Sequence, residues 1–136
     1  MAFDPPMIIS NIMPYQIQVH AQIIRIILTG YVTKTEMIDL ACETALLDAN
    51  FGRTFDRLTD LSAVEKSDSD YETISSLAKE RQKRIFQQKF RSAIVAPNPL
   101  DYGCARMFQT LSENPSVDRQ IFKTMVEAEL WLASNA

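Results

Sequence analysis

The chain has 136 residues, a formal net charge of -3 at pH 7 and an apolar fraction of 46%. We expect residues 1–136 to form one domain that buries roughly two-thirds of its unfolded surface, with residues 1–6 as a loose lead-in. The small net charge argues against a nucleic-acid-binding protein dominated by phosphate contacts. With His20 as its one histidine and no CxxC spacing, the sequence predicts no metal site.

The two cysteines and the N-terminal residues indicate in which cellular compartment the protein is expected. Cys42 and Cys104 lie far apart in segments of helical pattern, and we interpret them as buried free thiols in a reducing compartment. No apolar run approaches the ~20 residues that span a bilayer. The opening MAFDPP does not look like a secretory signal. The sequence therefore predicts a cytoplasmic protein, and peripheral attachment to the inner membrane stays open.

The first thirty residues have the periodicity of strands. Residues 7–12 are a short apolar run that predicts an extra edge strand. Residues 15–20 alternate apolar and polar, and residues 23–29 are more continuously apolar and closed by Gly30. Because only Ala21-Gln22 separates these two segments, they are predicted to pair as an antiparallel hairpin.

A capped helix and another strand follow. Thr33 and Glu36 have the spacing of a capping box, which starts a helix that runs to about Ala49. Gly52 is suited to the left-handed conformation that ends a helix. Residues 55–61 then read as a strand, and its position after a helix predicts a parallel, right-handed βαβ crossover.

The second half alternates helices and short strands. Ser69–Glu72 is a second capping box, followed by a helix, a strand at residues 92–96 and a helix at residues 100–112. A last strand at residues 118–123 leads to a third capping box, Thr124–Glu127. The sum is ββαβαβαβα, an α/β domain with a mostly parallel sheet and an N-terminal antiparallel hairpin.

The stretch between the strand ending near Leu61 and the next helix is the first candidate site. Ligands and partners meet an open α/β sheet beyond the carboxyl ends of its strands, and this stretch is predicted to be a loop there. The candidate partner-binding or regulatory residues are Asp60, Ser62, Asp68, Ser69 and Asp70. Asp60 and Asp68 could form an acid/base pair. The alternative is that Asp60 accepts hydrogen bonds from loop amides while Asp68 or Ser69 caps the following helix. No nucleophile–base pair, phosphate-binding glycine loop or cofactor fingerprint is present, so the sequence predicts neither an enzyme nor a cofactor.

The helix predicted at residues 100–112 supplies a second group. The candidate ligand-binding or structural residues are Asn98, Tyr102, Gly103 and Arg106. Gly103 costs about 1 kcal/mol relative to alanine inside a helix, which a close approach of another backbone or of a ligand would explain. Arg106 lies on an otherwise apolar face and needs a carboxylate if it is partly buried. Asp60 is the first choice, with Asp101 and Glu113 as alternatives.

The segment from Lys79 to Arg91 is basic, with Glu80 as its one acidic residue. A solvated helix face that complements its own dipole accounts for this pattern. The alternative is contact with an anionic surface. The residues that would make that contact are Lys79, Lys83, Arg84 and Lys89.

Three segments resemble a known family. Residues 93–97 (AIVAP), 102–108 (YGCARMF) and 122–132, which end in Trp-Leu, look like the SpoIIAA-like family of small bacterial proteins. The resemblance covers nearly the whole chain and implies a STAS-type fold. The larger fold group includes lipid-carrying domains as well as anti-sigma-factor antagonists.

The resemblance extends to the central stretch. The antagonists carry Asp-x-Ser-x-Val followed by Asp-Ser-Ser-Gly, which is similar to residues 60–64 and then to residues 68–71. Asp70 stands where the antagonists have the phosphorylated serine, and Tyr71 replaces the glycine. The phosphoserine motif is therefore not intact, although Ser69 remains an alternative acceptor.

These observations lead to two functional hypotheses. The first is a non-enzymatic regulatory or protein-interaction domain with a protein partner. The second is a small carrier or sensor of an apolar or lipid-like ligand that associates weakly with an anionic membrane surface. A carrier needs a continuous apolar cavity, whereas an interaction domain needs only an exposed patch. A homodimer stays open, and no nucleic-acid partner is expected.

Overall fold

The computed structural model describes residues 7–12, 15–52, 54–68, 70–86 and 88–134. The predicted lead-in at residues 1–6 lies outside this part of the chain. Within the described residues, the strands are β1 (Met7–Ile12), β2 (Tyr15–His20), β3 (Ile23–Val32), β4 (Asp56–Ser67), β5 (Phe90–Val95) and β6 (Val117–Phe122). The helices are α1 (Lys34–Phe51), α2 (Tyr71–Lys83), α3 (Pro99–Leu111) and α4 (Met125–Ala133).

The strands form one sheet in the order in which they occur in the chain. β1, β2 and β3 pair antiparallel, and β3 to β6 pair parallel. Ala21 and Gln22 both have positive φ, 52° and 62°, as a two-residue hairpin turn of type I′ requires. The α/β fold class, the hairpin and the extra edge strand are thus confirmed.

The strand order decides where the helices lie. Because each parallel strand is added on the same side of the previous one, right-handed crossovers bring α1, α2 and α3 to one face of the sheet. The last helix, α4, packs on the opposite face, where Ala128 and Leu132 join Leu58, Ala93 and Val95 in one cluster. The residues between these, such as Thr59 and Ile94, point toward α1, α2 and α3 because side chains alternate along a strand.

β4 is longer than the sequence predicts. The segment expected to be a loop after Leu61 continues as a strand to Ser67 and pairs with the end of β3 from Thr29 to Val32. β3 likewise does not stop at Gly30, which has a φ of 68° and lies beside a bulge in this pairing. Two bulges on β4 absorb the extra residues, and β4 and β3 extend together past the end of β5.

The helix caps agree with the sequence at three ends and differ at one. Thr33 caps α1 in a full capping box, Gly52 ends α1 with a φ of 65°, and the side chain of Thr124 caps α4. The predicted second capping box is wrong, because α2 begins at Tyr71 and its N-cap is Asp70. The additional length of β4 shifts the start of this helix along the chain.

Some predictions of burial are also wrong. Cys42 is exposed and Cys104 is half-buried, so neither is a fully buried thiol. Two large apolar side chains are also exposed, namely Leu130 on α4 (68%) and Ile85 beyond the end of α2 (95%). Among the described residues, none of the helices combines the length and the hydropathy that crossing a membrane requires.

The carboxyl end of α2 is closed by a residue distant in sequence. The Asn114 side-chain amide donates hydrogen bonds to the backbone oxygens of Arg81 (3.1 Å), Gln82 (3.3 Å) and Arg84 (2.8 Å). Its oxygen accepts from the Ser116 amide at 2.9 Å. Asn114 therefore satisfies carbonyl groups that a helix end leaves without partners.

Asn114→Asp should lower the free energy of unfolding by about 1–3 kcal/mol, because a carboxylate would face three carbonyl oxygens without a proton to donate. Denaturant unfolding at neutral pH measures this. Gln22→Glu, the same chemical change at an exposed turn, serves as the control and should stay within about 0.5 kcal/mol of wild type. Equal effects of the two substitutions would contradict this role of Asn114.

Candidate ligand-binding site

Asp60 lies on β4, within the predicted strand, and Ser62 also lies on β4 and not in the predicted loop. Asp60 pairs with Val95, the last residue of β5, and the Asp60 carboxylate accepts a hydrogen bond from the Ser62 amide at 2.9 Å. This bond stabilises the bulge in which Ser62 sits. Ser62 is exposed, so its side chain is accessible at the carboxyl edge of the sheet.

Asp68 and Asp70 bind residues from the end of β3 and the start of α1. The Tyr31 hydroxyl donates to Asp68 at 2.5 Å, and this bond raises the pKa of Tyr31. Asp70 accepts from the Thr73 amide at 2.7 Å and from Lys34 Nζ at 2.5 Å. Lys34, followed by the Thr73 amide, holds the pKa of Asp70 well below its usual range, so Asp70 is a permanent negative charge. Ser69 lies outside the described residues.

The acid/base pairing of Asp60 with Asp68 is wrong. At about 3.3 Å per residue, the strand between Asp60 and Ser67 spans on the order of 20 Å. The two carboxylates lie at opposite ends of this extended segment and cannot share a proton.

The group on α3 is less enclosed than the sequence predicts. Asn98 is the N-cap, and its side chain accepts from the Leu100 amide at 2.8 Å. The half-buried Tyr102 ring lies 5.2 Å from Lys123 Nζ. Gly103 is exposed, and a Cβ atom there would meet nothing within 4 Å, so the predicted close approach of another backbone is wrong. Arg106 is also exposed and forms no ion pair with another described residue, which rules out the predicted bond to Asp60.

The basic segment does not form one surface. Arg84 is half-buried, with Glu80 at 3.5 Å, and Arg81 turns into the interior. Arg91 binds the carboxyl end of α4, donating to the backbone oxygens of Trp131 (2.8 Å) and Ser134 (2.7 Å). The exposed members are Lys79, Lys83 and Lys89. Contact with an anionic surface stays a prediction, now resting on three lysines without Arg84.

The structure adds a site that the sequence analysis missed. Two adjoining cavities of about 210 Å³ and about 160 Å³ lie between the sheet and the three helices α1, α2 and α3. They share part of their walls, including Leu28, Met37, Leu77 and Phe108. Their combined volume lies near the lower end of the roughly 300–1,000 Å³ that is usual for pockets that bind small molecules.

The smaller cavity is apolar and lies toward the carboxyl ends of the strands. The residues found in its wall alone include Val32, Val64, Ile74, Cys104 and Ala105. Asp101 also lines it, and burial raises the pKa of Asp101 and of the Cys104 thiol. Cys104 is therefore protonated at neutral pH and suited to an apolar wall more than to reaction as a nucleophile.

The larger cavity has a polar floor made by three adjacent strands. Arg57 on β4 pairs with Ser92 on β5, and Ser92 pairs with Arg119 on β6. All three side chains point toward the helices, and the small serine leaves space between the two arginines, whose Cα atoms are ~10 Å apart. Arg81 approaches the same cavity from α2. We call Arg57, Arg81 and Arg119 the arginine cluster.

Contacts with neighbouring side chains hold each member of the cluster in place. Arg57 is 4% exposed, forms an ion pair with Asp48 of α1, and packs its guanidinium 4.8 Å from the Phe90 ring centre. Burial, which outweighs the attraction of Asp48, lowers the pKa of Arg57.

The other two members have neutral hydrogen-bond partners. Arg81 donates to the Thr44 hydroxyl at 2.7 Å, and Arg119 donates to the Ser112 hydroxyl at 2.5 Å. Burial, together with the charge of Arg57, lowers the pKa of Arg81 to about 9 and that of Arg119 to about 10. Because burial is the largest cause, these shifts show mainly that the two guanidinium groups are removed from water, and the charge of Arg57 adds to the effect.

A signal for this site was present in the sequence. The predicted strand at residues 55–61 contains Arg57 between apolar neighbours, and Arg81 shares a helix face with Ile74 and Leu77. An arginine in such positions is buried only with partners. The sequence does not predict that Arg57 and Arg119 lie in the same row of the sheet, on either side of Ser92, because this depends on the register of three strands.

Comparison with known proteins supports the fold. No protein-family model and no curated protein matches this chain. Among solved structures, an uncharacterized protein of the DUF3478 family from Shewanella loihica PV-4, described as having a SpoIIAA-like fold, superposes with a TM-score of 0.54. The match covers 98% of this chain and 99% of that protein at 15% sequence identity. The class defined here is an α/β domain of SpoIIAA-like fold, as the sequence resemblance predicted.

Gly103→Ala should raise the free energy of unfolding by about 0.5–1 kcal/mol, because the added methyl group meets no other atom and alanine is the better helix former. Denaturant unfolding measures this change. Arg106→Ala on the same helix should alter stability by less than about 0.5 kcal/mol. A loss of stability in Gly103→Ala would show that another part of the chain packs against this side of α3.

Proposed function

We propose that this chain is a non-enzymatic carrier or sensor of a small apolar or amphipathic ligand. The observation that carries the proposal is the pair of adjoining cavities between the sheet and the helices α1, α2 and α3. Its apolar portion is walled by side chains from β3, β4, α2 and α3, among them Val32, Val64, Ile74 and Ala105. Of the two hypotheses from the sequence, this one requires a cavity in place of a filled core.

The position of the cavity supports the proposal. Its apolar portion opens toward the carboxyl ends of β3 and β4, the edge at which ligands are generally bound in open α/β sheets. Val32 and Ser67, the last residues of these strands, belong to its wall. A ligand can therefore enter between the start of α3 and the projecting end of β4 without separating the central strands.

The neutral apolar dye N-phenyl-1-naphthylamine should bind this cavity and gain fluorescence. Ala105→Leu should weaken the binding about tenfold, because the larger side chain extends into the apolar portion from a buried position. Ala49→Leu, at an exposed position on α1, is the matched control and should bind the dye as the wild type does. Circular dichroism establishes that each variant is folded.

Absence of dye binding by the folded wild type, or equal binding by the wild type and Ala105→Leu, would contradict a ligand-binding cavity here. Native mass spectrometry of protein purified from its own host gives an independent measurement. A retained small molecule that is lost in Ala105→Leu is the expected result.

Protein interaction is a second candidate function, favoured by the projecting end of β4. Beyond the end of β5, the residues Ser62, Ala63, Glu65 and Lys66 are exposed on a two-stranded extension. Tyr71, at the start of α2, is 65% exposed next to the fixed charge of Asp70. A large exposed aromatic side chain beside a protruding strand is a common feature of partner-binding surfaces.

A photo-reactive benzoylphenylalanine at position 71 should crosslink one specific partner when the protein is expressed in its host. The same group at position 130 is the matched control, because Leu130 is 68% exposed on the opposite face of the sheet. The surface proposal predicts capture by Tyr71→benzoylphenylalanine and none by Leu130→benzoylphenylalanine. The same set of captured proteins at both positions would count against it.

A further inference from the structure

We infer that the ligand is an amphipathic anion, whose carboxylate or phosphate head lies against Arg57, Arg81 and Arg119 and whose hydrocarbon tail fills the apolar cavity. This inference rests on the proposed carrier or sensor function and specifies its ligand. It is carried by the geometry and the charge of the arginine cluster, while the carrier proposal is carried by the apolar cavity.

The three guanidinium groups converge on one space. Arg57 and Arg119 stand on either side of Ser92 in one row of the sheet, and Arg81 comes from the helix above them. Planar guanidinium groups that line one cavity can each direct N–H groups to the same carboxylate or phosphate. Because Ser92 is small, the space above it is open to such a head group.

Negative charge near the cluster is scarce. No carboxylate lines the larger cavity among the described residues. Asp48 binds Arg57 from the side of α1, and the Glu80 side chain is 54% exposed, with its oxygen 3.9 Å from Arg81 Nε. Arg119 donates to Ser112, which is neutral. Buried charges without opposite partners are strongly unfavourable, so the cluster favours the binding of an anion.

One buried donor of the cluster has no partner. Nε of Arg57 is buried and forms no hydrogen bond within the described residues. Oδ1 of Asp48 and Nη1 of Arg84 are in the same condition. Packing against Phe90 stabilises the Arg57 charge but does not satisfy this N–H group. An anionic head group in the larger cavity would add the negative charge that Asp48, which is bound to Arg57, does not supply to Arg81 and Arg119.

The two cavities also define the direction of the ligand. The arginine row lies toward the amino ends of the parallel strands, and the next row on the same face begins with Thr59 and Ile94. Beyond it, the wall is mostly apolar as far as Val32 and Val64, with Asp101 and Ser67 as its polar members. The head group is therefore innermost, and the tail runs along β4 toward the carboxyl edge of the sheet.

Competition against N-phenyl-1-naphthylamine tests this inference with three molecules that share one chain, namely dodecanoate, dodecyl phosphate and 1-dodecanol, below their micelle concentrations. In the wild type, at least one of the two anions should displace the dye at about tenfold lower concentration than the alcohol, as expected for a charge-assisted hydrogen bond. The tighter of the two anions identifies a carboxylate or a phosphate as the natural head group.

Substitutions in the cluster test which residues bind the head group. Arg81→Gln and Arg119→Gln should each weaken the preferred anion about tenfold and leave 1-dodecanol nearly unchanged. Arg106→Gln, which replaces an exposed arginine on α3, is the control and should behave as wild type. Arg57 is left intact because its loss would leave Asp48 buried without a partner.

The outcomes separate this inference from the proposed function. If 1-dodecanol competes as well as both anions in the wild type, the inference is overturned while the apolar cavity stands. If the wild type binds neither the dye nor any dodecyl compound, both are overturned. The wild-type ratio of anion to alcohol decides the inference even where a cluster variant does not fold.

Discussion

The buried ion pair between Arg57 and Asp48 is the constraint on which the rest of the structure depends. A guanidinium in a central strand is tolerated only with a partner, and breaking a buried pair costs about 3–5 kcal/mol. Asp48 supplies that partner from the end of α1 and so fixes how this helix lies over the sheet. Phe86 and Phe90 cover the guanidinium from the other side, which orders the chain entering β5.

This arrangement also explains the space beside the pair. Three helices share one face of the sheet, and its central floor consists of Arg57, Ser92 and Arg119 in place of large apolar side chains. Helices cannot close tightly over charged groups without leaving them unsatisfied. The polar floor and the unfilled volume above it therefore have one physical cause, and α4 on the opposite face packs over an apolar surface with no such restriction.

The likeness to a SpoIIAA-like structure at 15% identity concerns the fold and leaves function to the site. Asp70 stands at the position where the resembling antagonist motif has its phosphorylated serine. In this chain Asp70 caps α2 and forms an ion pair with Lys34. The Asp70 side chain therefore stabilises the start of α2 and connects it to α1 at the edge of the sheet. The buried arginine cluster lies under the helices, at the opposite end of β4.

The sequence by itself determined the alternation of elements, because hydrophobic periodicity and caps such as Thr33, Gly52 and Thr124 are local properties. It also indicated the SpoIIAA-like fold. Only the tertiary structure decided that β4 continues to Ser67, since the end of β3 provides the hydrogen bonds that keep this polar segment extended. The exposure of Arg106 and the convergence of Arg57, Arg81 and Arg119 were likewise decided by strand register and helix packing, which join residues that no local pattern connects.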